Sequence, residues 1–136
     1  MTPEENDLIQ VAEALKKIPH FDNTAFMQLI EDTGPLVVLR ILARFEMGIR
    51  ECISVINQGI EEEDCESIWK ACHKLTGSAE LIGFKEFGAQ SRKLNSDVKA
   101  LPDIQTHLEE LTGFLHEGQA LTLSINACFP QIKNYL

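Results

Sequence analysis

Apolar residues recur every three or four positions along almost the whole chain, and no stretch of any length shows the every-second-residue alternation of a strand. That period restricts the chain to packed helices, because a one-sided apolar stripe is buried only against another stripe. Leu8, Val11, Ala12, Leu15 and Ile18 form the stripe of a first helix. Thr2 can cap it with Pro3 at its first position, and Pro19 is expected to close it. A short second helix carries Phe26, Leu29 and Ile30, with Asp22 or Asn23 as its cap. Gly34-Pro35 breaks it and starts a long third helix with the stripe Leu42, Phe45, Ile49, Cys52, Ile53 and Ile56, expected to end at Gly59. The acidic run Glu61-Glu62-Glu63-Asp64 is expected to open a fourth helix, where carboxylates suit the positive end of the helix dipole. That helix carries Ile68, Ala71, Cys72, Leu75, Ala79 and Ile82 as far as Gly83. A fifth covers Phe87, Leu94 and Val98 and stops at Pro102. A sixth covers Ile104, Leu108, Leu111, Leu115, Ile125 and Phe129 and ends at Pro130.

Four substantial amphipathic helices on short turns hide their stripes by packing on one another. The expected fold is all-α, an antiparallel up-down four-helix bundle over residues 34–129 with an additional short N-terminal helix pair at 1–33. All 136 residues then form a single domain. With 12 basic against 21 acidic residues and a net charge of −9, the chain lacks the basic face that phosphate backbones require, so no nucleic-acid partner is expected. No apolar run approaches the ~20 residues of a membrane span, and no signal peptide is evident. A cytoplasmic monomer with no membrane partner is the expectation. Cys52, Cys65, Cys72 and Cys128 form no C-x-x-C pair and read as buried free thiols; no metal site is expected.

One residue of the fourth helix does not belong to the core. On a helical wheel of about 100° per residue, with His73 at zero, Leu75, Ile68, Ala71, Ala79 and Ile82 fall between about 160° and 240°. His73 therefore points away from the stripe. Gly77, one turn on and about 40° round, shares that face, and a mid-helix glycine costs about 0.5–1 kcal/mol relative to alanine. The cost makes sense if something bulky must approach the imidazole. Lys70, Lys74 and Thr76 flank the patch, and Trp69 is a candidate docking aromatic. Neutral imidazole is a nucleophile near neutral pH. His20, His107 and His116 read as surface residues. An exposed nucleophile with no pocket implies that a partner supplies the rest of the active site.

The run Ala71-Cys72-His73-Lys74-Leu75-Thr76-Gly77-Ser78-Ala79, followed by Ile82-Gly83-Phe84, resembles the histidine phosphotransfer (HPt) domain. That family's motif places a His, a Lys or Arg three residues later, then Gly-Ser/Ala and a second Gly. The similarity runs upstream through Phe21-Asp22, Phe26, Leu29, Asp32 and Gly34 to Phe45 and downstream to about Leu94. The resemblance implies that His73 accepts a phosphoryl group, that Gly77 gives the partner room, and that Asn95 stands where a family glutamine can hydrogen-bond the imidazole. It also implies a carrier rather than an enzyme, with no cofactor of its own. The partners would be receiver domains of response regulators or hybrid sensor kinases, with Mg²⁺ held by the receiver. The chain departs from the motif at Thr76, and Lys70, Lys74, Arg92 or Lys93 is expected to supply the missing cation. Trp69, Glu80, Arg92 and Lys93 are the expected partner-binding residues. The alternative reading, motivated by Thr76, is a helical module that docks receivers without phosphotransfer. Residues 70–99 hold six bases and three acids, so a positive working face is expected on an acidic body.

Overall fold

Three of the helices begin where a side-chain oxygen takes an otherwise unpaired amide. Thr2 Oγ1 accepts the N–H of Glu5, Asp22 Oδ1 that of Ala25, and Asp64 Oδ1 that of Ser67, each at 3.1 Å. The computed structural model describes residues 1–136 as α1 (Pro3–Leu15), α2 (Asn23–Thr33), α3 (Pro35–Glu62), α4 (Cys65–Ile82), α5 (Lys85–Ala100), α6 (Ile104–Cys128) and a short 3-10 helix (Ile132–Tyr135), with no strand. None of the helices is long and apolar enough to cross a membrane.

Interhelical contacts fix how the four long helices run. Gly48 faces Leu75 and Gly59 faces Ile68, so α3 and α4 are antiparallel. Gly88 lies on Ala79, Ser91 on Cys72 and Asn95 on Trp69, so α4 and α5 are too. Phe87 stacks on Phe114 while Lys93 reaches Glu110 across α5 and α6. Gly118 sits on Ile49 and Asn126 bonds Glu46, which closes α6 back on α3. The buried apolar side chains from Leu8 to Tyr135 form one cluster, so α1 and α2 share the core of the bundle. Glu46 is the buried charge in it. Arg50 engages both its oxygens from 2.7 to 3.1 Å and Asn126 Nδ2 adds a third donor, which is the pairing a buried carboxylate needs.

Several boundaries differ from the sequence reading. α1 stops at Leu15, and residues 16–18 turn and bend ahead of Pro19. α3 does not end at Gly59. That glycine is buried inside the helix, where an added Cβ would meet Ile68 Cγ1 at 2.6 Å and the Asp64 carbonyl at 3.1 Å; it is there for close packing. The helix runs on to Glu62 and is terminated by Glu63 in the left-handed region at φ 53°. The acidic run therefore closes α3 more than it opens α4, with Asp64 alone as cap. His107 is buried, its Nε2–H donating to the Leu101 carbonyl at 2.7 Å to staple the α5–α6 connection. The 3-10 helix after Pro130 carries no periodic signal; it is held by Tyr135 Oη and Gln131 Nε2, which donate to the two carboxylate oxygens of Asp7.

Gly59→Ala should destabilise the protein by about 1–3 kcal/mol through overpacking. Gly113→Ala, where a Cβ meets nothing within 4 Å, should stabilise it by about 0.5–1 kcal/mol; urea unfolding of the pair checks both. Asp22 caps α2 and lies 2.6 Å from Lys85 Nζ. That ammonium, then the Ala25 amide, holds its carboxyl below the usual carboxylate range. A pKa lowered on folding adds stability above the unfolded value and loses it as pH falls through the folded one. Asp22→Asn keeps the cap but loses the pair, so its stability should fall less steeply than wild type below about pH 4 in acid titrations.

Candidate functional site

α4 carries His73 on the side turned away from the core because Cys72, Leu75, Thr76 and Ala79 occupy the buried positions around it. The imidazole is exposed and makes neither a hydrogen bond nor an ion pair. By contrast, His107 bonds Leu101, and His20 Nδ1 lies 3.4 Å from Glu86 on the far side of α5. His116 is exposed on α6. Gly77 is exposed and open, so nothing in this chain requires a glycine there.

Beneath His73 the turn of α4 is braced by polar groups. Ser91 Oγ, fully buried on α5, donates to the Cys72 carbonyl at 2.6 Å, and Thr76 Oγ1 donates to the same oxygen at 3.0 Å. Asn95 Nδ2 donates to the Trp69 carbonyl at 2.8 Å, the oxygen that accepts the His73 amide in the α-helical pattern. Two expectations are corrected. Asn95 bonds the backbone one turn below the imidazole and not the imidazole itself. Thr76 does not join the exposed patch, because α5 covers its flank of α4 and leaves it 7% exposed.

The expected cations scatter. Lys93 turns toward α6; Asp97 of its own helix and Glu110 of α6, each at 2.8 Å, push its pKa well above the usual lysine value, so it leaves the His73 face. Arg92 pairs with Glu80 at 2.6 Å across α4 and α5, where Gly88 leaves room for the Glu80 stem. Lys70 is held by Glu66 at 2.5 Å. Lys74 has no acidic partner and points into a groove of about 690 Å³ between α3 and α4. Phe45, Cys52, Val55 and Leu75 line that groove, with Arg44, Lys70 and Lys74 as its basic residues and Glu51 as its acid. Trp69 is half-buried, with Lys99 Nζ 4.8 Å and Lys70 Nζ 5.7 Å from its ring centroid.

Lys99 was absent from the sequence-based candidates. Its signal is the four-residue spacing Ser91, Asn95, Lys99, a single stripe of α5 whose first two members face α4. The thiols are poor rival nucleophiles. A hydrogen bond with Cys52 and burial push the Cys72 thiol far up, and burial raises Cys65 and Cys128. No cluster of three or more His, Cys, Asp or Glu side chains is assembled to hold a metal ion.

Fold and face together define a helical bundle that offers an unpartnered imidazole on an open surface. The profile of the Hpt domain matches residues 40–125, from within α3 to near the end of α6. The match covers more than half of the chain, and the protein belongs to the Hpt domain family, the histidine phosphotransfer modules of phosphorelays. Members are phosphoryl carriers rather than catalysts and interact with receiver domains of two-component systems. No curated protein and no solved structure matched the chain.

If the fold does not need Gly77, Gly77→Ala should raise stability by about 0.5–1 kcal/mol in urea unfolding. A loss of stability would mean that the glycine serves the helix and not its visitor.

Proposed function

We propose that His73 accepts the phosphoryl group of a receiver phospho-aspartate and passes it to a second receiver. The observation that carries this reading is the exposed, unbonded imidazole of His73 beside the open surface at Gly77, in a chain of the Hpt family. A lone-pair nitrogen of the ring attacks phosphorus in line. The N–P bond forms as the acyl P–O bond breaks, the aspartate leaves as carboxylate, and the ring proton passes to solvent. The receiver supplies the Mg²⁺ and acidic pocket that orient the group, so the bundle contributes a fixed nucleophile and room to approach it. The return step runs the same bonds in reverse with another carboxylate.

The α3/α4 groove lies on the flank of α4 opposite α5, and its apolar lining and basic residues suit an amphipathic, partly acidic receiver surface. Trp69, Glu80 and Arg92 lie on the α5 side of the same face and are the partner-facing residues of this reading.

The second reading, a module that docks receivers without chemistry, draws on Thr76, a buried hydroxyl where the family motif has a Lys or Arg. Incubation with phosphorylated receivers separates the two. Transfer should place an acid-labile, alkali-stable phosphate on His73 and none on His73→Gln. Docking alone would leave both unlabelled with equal receiver affinity. Gly77→Phe should slow transfer by about tenfold or more by blocking the approach, with its circular dichroism unchanged.

A further inference from the structure

A phosphoryl group on His73 would carry a charge of about −2 on an open face, and such a group is held by charge-assisted bonds to cations. Thr76 supplies none; it is buried and its hydroxyl is committed to the Cys72 carbonyl. Of the six bases between residues 70 and 99, Lys70, Lys85, Arg92 and Lys93 are each within 2.8 Å of a carboxylate oxygen. Lys74 and Lys99 are left. Lys74 lies about 100° round α4 from His73 and lines the α3/α4 groove. Lys99 lies over Trp69, which is one turn before His73 and about 40° from it.

The direction of the side chains turns His73 and Lys99 toward the same level of the bundle. A helical side chain leans toward the N-terminus of its own helix, over the preceding turn. His73 therefore leans along α4 toward Trp69. α5 runs the other way, so Lys99 leans back toward Asn95, whose amide bonds the Trp69 carbonyl. Both chains converge on the level of Trp69. An aromatic face holds an ammonium without neutralising it, whereas a carboxylate would have to be displaced. The ring thus parks a full positive charge beside the acceptor, on a hold that a phosphoryl oxygen outcompetes.

We infer that Lys99, parked on Trp69, is the cation that meets the phosphoryl group on His73. The inference rests on the reading of His73 as acceptor, and its test keeps the two apart. Phosphoramidate, a small phosphodonor, replaces the receiver and acts on the full chain, with labelling read at His73 and emission read from Trp69, the single tryptophan. Lys99→Ala should slow labelling by about fivefold at low salt, the modest effect of an exposed charge, and the gap should close near about 0.5 M salt. Lys99→Arg should restore the rate, and Lys133→Ala, on the 3-10 helix away from α4 and α5, should leave it unchanged. Phosphorylation should change Trp69 emission in the wild type as the ammonium leaves the ring, and much less in Lys99→Ala. Wild-type rate and emission change in Lys99→Ala would overturn the assignment to Lys99, as would a loss of rate confined to Lys74→Ala. If the wild type labels elsewhere or not at all, the acceptor reading falls and this inference with it.

Discussion

Gly88 has no side chain, and a methyl group there would meet Glu80 Cγ at 2.8 Å and Ala79 Cβ at 3.4 Å. At that point α5 lies closer to α4 than a larger residue would allow, and the geometry around His73 follows. Ser91 comes near enough to bond a main-chain carbonyl already inside a helix, and Asn95 does the same one turn on. Thr76 is covered, and Glu80 lies across to Arg92. Each such bond contributes only about 0.5–1.5 kcal/mol net. Their larger effect is positional, because they tie the turn that carries the imidazole to a second helix rather than leaving it on one helix with an open glycine.

Charge tells a related story. The window from 70 to 99 carries an excess of bases, yet most of those bases are spent on carboxylates inside or beyond it. A count along the chain reports a positive face; the pairing leaves two available ammonium groups. Exposed pairs of this kind add little stability. What they alter is which cations remain free to meet an incoming anion.

The sequence exposed the stripes, most of the caps and the outward direction of His73, because these depend on spacing within one helix. Asp22 was a named cap candidate and binds as one. It misplaced the end of α3, since Gly59 has the composition of a terminator and the role of a packing notch against Ile68, a residue on another element. The acidic run was assigned to the wrong helix for the same reason. His107 read as a surface residue because its acceptor is a loop carbonyl that periodicity does not show. Around His73 the motif identified the patch, whereas the fates of Asn95, Lys93, Thr76 and Lys99 were set by the antiparallel register of α4 and α5. Register between helices is not written in either helix alone.

Asp7 receives bonds from both Gln131 and Tyr135, and the second spans 128 positions of the chain. Closing so long a loop of disordered chain would cost several times RT, an entropy that a single part-buried hydrogen bond does not recover. The clasp therefore forms cheaply only after the helices between have already drawn the two ends together. In folding the clasp comes late. The two ends of the molecule are tied after the α4–α5 pair, whose bonds close far shorter loops.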